Sequence, residues 1–204
     1  MTLNDWLTGF AGASPIEWLA TVAGFLCVFL LIKRSIWNFA FGLVQVSLYV
    51  WIFWQAKLFS EAALHVFYMF FQFYGFMIWW QSGQDDHGHV KVVRGGSWEW
   101  IAAPLLVVVS AAILGSVMAN FTPADFPYMD AFITCASLMA QYLLSHKRLL
   151  NWWLWIVVDI VAIGIYVQKG LYPTTLLYVC FLVMSVLGLR QWQQAAVQDS
   201  HYRV

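Results

Sequence analysis

The sequence predicts an all-α polytopic membrane protein in which seven transmembrane helices form a 3+1+3 parallel repeat. Composition, the number of apolar segments and internal similarity support this prediction. Of 204 residues, 62% are hydrophobic and 10% are charged, against about 25% charged residues in an average soluble domain. A soluble fold of this size would have too little polar surface to cover itself. The formal net charge is zero, so no nucleic-acid partner is expected.

Seven apolar segments approach the length that a membrane-spanning helix needs, which is about 20 residues. The predicted helices cover residues 15–32, 35–54, 59–80, 98–118, 129–144, 150–168 and 172–192. The longest polar break, residues 81–97, follows the third helix. No basic region precedes the first helix, so we expect it to be retained rather than cleaved as a signal peptide. Residues 1–204 are predicted to form a single membrane domain.

The basic residues predict the orientation of the chain. Eight of the ten fall in segments on one side of the predicted membrane: Lys33, Arg34, Lys91, Arg94, Lys147, Arg148, Arg190 and Arg203. Lys57 and Lys169 fall on the other side. Because Lys and Arg are enriched in cytoplasmic loops, the N-terminus is expected outside and the C-terminus in the cytoplasm.

Two segments of the chain resemble each other when they are aligned at a constant offset in residue number. Three pairs share this repeat offset: Asn38 and Asn151, Gly75 and Gly188, and Trp79 and Trp192. Residues 15–80 and 129–192 are therefore predicted to be two three-helix bundles, with 98–118 as a linker helix. Equivalent helices are four apart, so they should run in the same direction. Such parallel repeats occur in sugar transporters of the SWEET type.

The sixth predicted helix carries polar residues where lipid alone has no use for them. Asn151, Trp155 and Asp159 are spaced by four, and Trp152 precedes Asp159 by seven, so all four can share one face. Polar groups inside a membrane tend to face the bundle interior or a watery cavity. Similar stripes occur on the second, third and fifth helices: Asn38, Gln45 and Tyr49; Tyr68, Gln72, Gly75 and Trp79; and Thr134, Ser137 and Gln141.

Each of these residues also has a structural interpretation. An intramembrane amide often only bonds a neighbouring helix, for about 0.6 kcal/mol. Tryptophan near a helix end commonly anchors the membrane interface, a role that Trp152 can also take and that we expect for Trp37, Trp54, Trp79, Trp80, Trp98, Trp100 and Trp192.

Asp159 is the only acidic residue deep in a predicted span. A carboxylate at that depth costs about 3 kcal/mol or more unless it is paired, solvated or protonated. It can serve as a proton or ion site, bind hydroxyl groups, or balance a cationic ligand. The amides and indoles nearby favour a neutral hydrogen-bonding and stacking site for a flat aromatic ligand.

Enzymatic chemistry and cofactors are not expected. The predicted spans contain no Ser–His–Asp or Cys–His constellation, and His65 stands alone on the third helix. His87 and His89 lie beside Asp85 and Asp86 in the long polar loop, which is expected to be a solvated loop rather than a metal site. No nucleotide-binding motif is present, so ATP hydrolysis within this chain is not expected.

Residues 150–192 resemble the PnuC family of vitamin B3 transporters, and the resemblance extends over about residues 15–192. The family's Asn-Trp-x-x-Trp element is present, as are the later aspartate and the Gly…Trp ending: Asn151, Trp152, Trp155, Asp159, Gly188 and Trp192. This resemblance implies a SWEET-related fold and nicotinamide riboside as substrate. It also implies facilitated diffusion with trapping by cytoplasmic phosphorylation, and a homotrimer in the bacterial inner membrane.

The resemblance also implies roles for the polar stripes. Trp152 and Trp155 would frame the nicotinamide, while Asn151 and Asp159 would bond its amide or the ribose hydroxyls. Further contacts are expected from facing helices: Asn38, Gln45, Tyr68, Gln72 and Gln141. The permanent pyridinium charge suits an indole-lined site. The mononucleotide is expected to be excluded, because its phosphate would meet no intramembrane Lys or Arg.

Three other functions remain open from the residues alone. The first is a transporter of the same fold for another vitamin, such as thiamine or riboflavin. The second is a proton-coupled symporter that uses Asp159. The third is a non-transporting scaffold or receptor, which the polar stripes disfavour because buried polar groups are costly unless they are used.

Overall fold

A computed structural model describes residues 14–55, 59–82, 91–122, 125–168 and 172–201 of the chain. These residues form seven α-helices: α1 (Pro15–Ile32), α2 (Asn38–Gln55), α3 (Phe59–Gln81), α4 (Glu99–Phe121), α5 (Pro127–Ser145), α6 (Leu150–Gln168) and α7 (Tyr172–His201). The predicted all-helical architecture with seven helices is confirmed.

Local chemistry explains where the helices begin and end. At the start of α1, Ser14 Oγ accepts from the Glu17 backbone N–H at 3.3 Å and Glu17 Oε2 accepts from Ser14 N–H, which is a capping box. Helix α2 begins at Asn38 and not at the predicted residue 35, because the residues before it form a turn. Helix α7 continues past the predicted end at Trp192 to His201, through glutamine and alanine residues that favour helix.

Four helical segments are long and apolar enough to cross a bilayer: Pro15–Ile32, Ala62–Gln81, Glu99–Phe121 and Thr175–Val197. Helices α2 and α6 carry shorter apolar stretches, Asn38–Ile52 and Leu150–Ile165. The chain is therefore a multi-pass membrane protein, while the predicted crossings by α2, α5 and α6 stay predictions. The buried positions of helix α4 are one turn apart, and three of the four are small residues, Ala103, Ala111 and Gly115, as is common between membrane helices.

The chain divides into two compact units, one ending at Lys91 and one beginning at Val92. In the first unit, α2 packs against both α1 and α3. In the second unit, α5 packs against α4 and α6, and α6 packs against α7. The fourth helix, predicted as a linker, thus groups with the helices that follow it.

The α1–α2 turn and the α5–α6 turn have the same hydrogen bonds at the repeat offset that relates Asn38 to Asn151. In each, the second residue after the end of the helix has a positive φ, 58° at Arg34 and 56° at Lys147. The next residue donates its N–H to the carbonyl five positions back at 2.9 Å, from Ser35 to Leu30 and from Arg148 to Leu143. Together with the bonds from Arg34 to Leu31 and from Lys147 to Leu144, these complete a Schellman motif. The two turns are therefore similar in backbone as well as in sequence.

An aromatic pair follows each turn. Phe39 meets Trp79 edge to face at a centroid distance of 5.0 Å, and Trp152 meets Trp192 in the same way at 5.6 Å. Both Trp79 and Trp192 are 0% exposed. The prediction that these two tryptophans anchor the membrane interface is wrong, because each closes against the aromatic ring that follows the turn of its unit. Trp37, Trp54, Trp80, Trp98 and Trp100 are exposed, as interface anchors should be.

We predict that Trp79→Ala destabilises the first unit by about 3 kcal/mol, because it removes a fully buried ring from its edge-to-face contact. The neighbouring Trp80 is 69% exposed, so Trp80→Ala is the matched control and should change stability little. Thermal unfolding of both purified variants in the same detergent measures the difference. Equal unfolding temperatures would contradict the burial of Trp79.

Candidate functional site

Asn151, at the start of α6, is fully buried, and its side chain forms a hydrogen bond through its amide nitrogen but not through its oxygen within the described residues. Its backbone N–H and its side-chain Nδ2 both donate to the Arg148 carbonyl, at 3.1 and 2.6 Å. Its Oδ1 is buried and has no hydrogen-bond partner among the described residues. Asn38 bonds Ser35 O through Nδ2 at the same 2.6 Å. The Asn151 side chain therefore stabilises the turn with its donor and leaves one acceptor available.

Trp152 is held by α7. Its indole lies directly over Gly188, where a Cβ atom would come within 2.5 Å of Cζ2. Its ring also packs edge to face with Trp192, so that 1% of the residue is exposed. Its Nε1–H is buried and unpartnered in the part of the chain that the structure describes. Little indole surface is left for stacking, which disagrees with the expectation that Trp152 frames an aromatic ligand.

Trp155 has different neighbours. It remains partly exposed and packs on two apolar clusters that α4, α5 and α6 form together. The members of these clusters are Ala103, Ala140, Leu143, Leu150 and Leu154, and Val107, Ala136 and Val158. The predicted single face of α6 is thus divided, because Trp152 contacts α7 whereas Trp155 packs on clusters that include α4 and α5.

Asp159 also meets α7. It is 3% exposed, and Ser185 Oγ donates to its Oδ2 at 3.2 Å. The sequence interpretation missed Ser185, although the repeat offers a signal, since Ser185 is the equivalent of Gln72 at the repeat offset. A buried carboxylate that accepts this bond has capacity for further donors. Asp159 is therefore a buried carboxylate of the second unit that can accept further hydrogen bonds.

In the first unit, the side chains of two glutamines lie against glycines of the neighbouring helix. A Cβ at Gly42 would come within 2.7 Å of Gln72 Oε1, and one at Gly24 within 2.6 Å of Gln45 Nε2. The absent side chains let both amides approach the neighbouring helix backbone. Gln72 Oε1 is buried without a partner among the residues described here. Like Asn151 Oδ1 in the second unit, it is a buried acceptor without a hydrogen-bond partner among those residues.

The remaining predicted residues fall in the same two units. In the first, His65 lies between two tyrosines, at ring-centroid distances of 5.3 Å from Tyr49 and 5.5 Å from Tyr68. In the second, Gln141 is buried on α5, and its backbone carbonyl accepts from Ser145 Oγ at 3.0 Å. Within each unit the structure therefore places the predicted residues on buried or half-buried positions.

The α5–α6 turn is strongly basic and partly buried. Arg148 pairs with Glu99 at 3.0 Å. Burial lowers the pKa of Lys147. Burial first, and then Arg148 and Lys147, lower the pKa of His146, while Glu99 acts in the opposite sense. Because the folded state holds the His146 proton less tightly than the unfolded chain, acidification through its ordinary pKa of 6.5 lowers stability.

No metal site is found in the described part of the chain, which lacks any group of three His, Cys, Asp or Glu side chains placed to hold an ion. His87 and His89, with Asp85 and Asp86, lie outside the described residues. The three cysteines are free thiols.

Comparison with known proteins identifies the family. The family model described as nicotinamide mononucleotide transporter matches residues 14–194. The chain belongs to the nicotinamide mononucleotide transporter family. It is therefore a member of a transporter family and not an enzyme, and the resemblance to PnuC proteins seen in the sequence is confirmed.

The chain is similar to curated members of this family. It is 25% identical over 213 residues to the nicotinamide riboside transporter PnuC of Escherichia coli, covering 91% of this chain and 89% of that one. The same transporter of Neisseria mucosa is 29% identical, with 96% and 82% covered. The riboflavin/roseoflavin transporter RibM of Streptomyces davaonensis is 24% identical, with 90% and 87% covered.

A solved structure shares the fold. The crystal structure of the vitamin B3 transporter PnuC matches with a TM-score of 0.77 and 28% sequence identity. The match covers 95% of this chain and 87% of that chain. The family's fold therefore extends over nearly the whole sequence.

We predict that Gly188→Ala destabilises the second unit by about 1–3 kcal/mol, because the new methyl group would overlap the Trp152 indole. Gly164→Ala on α6 is the matched control, since a Cβ there meets nothing within 4 Å. That control should be neutral or slightly stabilising. Thermal unfolding of the two variants, with tryptophan fluorescence, tests this; a neutral Gly188→Ala would contradict the contact.

Proposed function

We propose that the protein takes up nicotinamide riboside across the membrane by facilitated diffusion. The observation that carries this proposal is the match to the vitamin B3 transporter structure, which covers 95% of the chain with a TM-score of 0.77. Two of the curated relatives compared above are nicotinamide riboside transporters by name. The chemistry of the buried polar groups supports the same substrate.

The open atoms at the start of α6 suit a carboxamide. Asn151 Oδ1 is an acceptor and Trp152 Nε1–H is a donor, and both are buried without partners among the described residues. The nicotinamide amide carries one donor group and one acceptor group, so it can satisfy both. Leaving such buried groups unpaired costs about 1–3 kcal/mol each, which gives the amide a clear energetic advantage over an apolar substituent.

Asp159 and Trp155 suit the rest of the substrate. The Asp159 carboxylate accepts from Ser185 at 3.2 Å and can accept further bonds from ribose hydroxyls. Its charge also balances the permanent positive charge of the pyridinium ring. Trp155 is partly exposed, and its indole face attracts a cation. We therefore assign Trp155 the stacking role and Trp152 a supporting role with one polar contact.

The other predicted contacts are part of the proposal. They are Gln141 in the second unit and Asn38, Gln45, Tyr68 and Gln72 in the first. Among them Gln72 has the strongest support, because its Oε1 is buried and has no partner within the described part of the chain. An amide held against Gly42 is preorganised to accept a hydrogen bond from a hydroxyl or amide group.

The riboside fits better than the mononucleotide, although the family description names the latter. Helices α1 to α6 contain no Lys or Arg, and Arg190 of α7 is exposed near the predicted cytoplasmic end. A phosphate group would therefore enter an apolar environment without a cation to neutralise it, and the desolvation of its charge would oppose binding.

The energetics follow from what the chain contains. Its sequence has no nucleotide-binding motif, and the one deep carboxylate accepts a hydrogen bond from a serine. We propose that net uptake is sustained because a separate cytoplasmic kinase phosphorylates the riboside and so traps it inside the cell. A proton-coupled symporter built on Asp159 is the alternative mechanism.

The proposal includes the organisation of the protein in the cell. We place it in the bacterial inner membrane as a homotrimer, with the N-terminus outside and the C-terminus in the cytoplasm. The distribution of Lys and Arg supports this orientation. The 3+1+3 repeat is supported by the matching turns at Arg34 and Lys147. The bacterial relatives support the membrane assignment.

A second vitamin is the competing substrate. The riboflavin/roseoflavin transporter RibM is 24% identical over 90% of this chain, so the fold itself does not select the riboside. Flavin is also flat and carries donors and acceptors. It lacks the permanent positive charge, however, and that charge is what Asp159 and the indoles favour.

The decisive experiment is titration calorimetry of the purified protein with nicotinamide riboside, the mononucleotide, nicotinamide, thiamine and riboflavin. We expect saturable binding of the riboside alone. Asp159→Asn and Trp155→Ala should each weaken it by about tenfold or more, since a charge-assisted bond or a cation–π contact contributes about 1.5–3 kcal/mol when desolvated. Saturable binding of the mononucleotide would refute the exclusion argument.

The control for this titration is Trp153→Ala. Trp153 lies within the same motif but is 43% exposed, and it should leave the affinity unchanged. Binding of riboflavin or thiamine in place of the riboside would keep the fold and overturn the substrate. Loss of binding in Trp153→Ala to the same extent as in Trp155→Ala would show that the assay reports folding rather than contacts.

We predict that collapse of the pH gradient, at zero membrane potential, leaves the initial rate of riboside uptake unchanged, because facilitated diffusion of this cation depends on its own electrochemical gradient and not on that of protons. Uptake of labelled riboside into proteoliposomes, with and without a protonophore, measures this in the absence of any kinase. A rate that falls with the gradient, and becomes insensitive in Asp159→Asn, would support the symporter instead.

A further inference from the structure

The structure assigns a positioning role to the Glu99–Arg148 ion pair, which fixes the start of α6 and with it the buried polar atoms of Asn151 and Trp152. The pair lies outside the predicted contacts and touches no proposed ligand group. The inference rests on the proposed function for its substrate, but the structural link itself can be tested without a substrate.

The ion pair is one part of a latch, by which we mean residues 93, 99 and 148 and the bonds that join their segments. Arg148 Nη1 lies 3.0 Å from Glu99 Oε1. Val93 N–H donates to Lys147 O at 3.0 Å, and Leu149 N–H donates to Val93 O at 3.1 Å. The segment before α4 thus runs beside the α5–α6 turn and bonds to it on both sides of Arg148.

The latch connects directly to the polar atoms. The Arg148 carbonyl accepts from the backbone N–H of Asn151 at 3.1 Å and from its Nδ2 at 2.6 Å. Arg148 therefore joins Glu99 through its side chain and Asn151 through its backbone. Because Asn151 Nδ2 is fixed in this way, its Oδ1 points in one defined direction, and Trp152 follows one residue later.

The first unit shows that the turn itself does not require an ion pair. Ser35 occupies the position equivalent to Arg148 and cannot form one. Its N–H bond to Leu30 O is 2.9 Å, as in the second unit, and the Asn38 bond to Ser35 O is 2.6 Å, as for Asn151. The ion pair is therefore an addition to a turn that already forms, and its expected effect is on how firmly the start of α6 is held and not on whether the turn folds.

The position of Glu99 fits this role. It lies in the first turn of α4, where the helix dipole favours a carboxylate. Gly95 before it has φ of 81°, a conformation that glycine adopts readily, and a side chain at Gly95 would collide with the Glu99 carboxylate. The side chains of Arg148 and Glu99 are 31% and 27% exposed, so salt should weaken the pair in part.

The test is a double-mutant cycle of Glu99→Gln and Arg148→Gln with two readouts, riboside affinity by calorimetry and hydrogen exchange of residues 146–152. Each single variant should weaken binding by about two- to fivefold, as expected for a partly exposed ion pair that acts on the site. The double variant should bind the riboside no more weakly than either single variant. In each variant the amides of Leu149, Asn151 and Trp152 should exchange faster.

In transport assays the half-saturation concentration should rise while the maximal rate stays within about twofold. Glu17→Gln is the matched control, since Glu17 also lies in the first turn of a helix, on α1, where it caps Ser14. It should change neither the affinity nor the exchange of residues 146–152. High salt applied to the wild-type protein should reproduce the faster exchange without any substitution.

Three results would overturn the inference: unchanged exchange in Glu99→Gln, additive effects in the double variant, or a lowered maximal rate at constant half-saturation, which would make the pair part of a gate. Failure of the proposed function would look different, because the wild-type protein itself would not bind the riboside. In that case the exchange experiment alone decides whether the latch fixes α6.

Discussion

The structure depends on one bond, the donation from an asparagine side chain to the carbonyl three residues before it. Asn151 makes it to Arg148 and Asn38 makes it to Ser35, each at 2.6 Å. In both turns the asparagine's backbone N–H donates to the same carbonyl at 3.1 Å, so the side-chain bond is a second one that holds the short connection between the two helices. It also fixes the aromatic residue that follows, which then packs against a tryptophan of the next helix.

The two turns have the same backbone hydrogen bonds, while the side chains on the helices around them differ. In the first unit Gly42 leaves room for Gln72; in the second, Trp155 and Ser185 occupy the equivalent positions of the repeat. The second unit alone has a buried carboxylate among the described residues, Asp159, with Ser185 as its donor. A common backbone with different side chains would allow shared positions to keep the fold while the differing positions bind the proposed substrate. The family membership of the chain is consistent with that division.

Under the proposed function, the buried polar atoms without partners link stability to substrate binding. A buried donor or acceptor without a partner lowers stability by about 1–3 kcal/mol, a cost that a bound ligand would remove under the proposed function. Asn151, Trp152 and Gln72 each hold such an atom among the described residues. The surrounding contacts keep these atoms in place: Gly188 under the Trp152 indole, Gly42 beside Gln72, and the Arg148 carbonyl at Asn151.

The sequence by itself determined the helical class, the seven helices to within a few residues except for the end of α7, and the similarity of the two turns, because apolar length and internal sequence similarity need no knowledge of helix packing. It also pointed to Asp159, since a deep carboxylate is costly wherever it lies. Only the tertiary structure decided that Trp79 and Trp192 are buried, that Ser185 bonds Asp159, and that Trp152 and Trp155 have different neighbours. Those facts depend on which helix lies next to which, and helical periodicity within one segment carries no information about its neighbour.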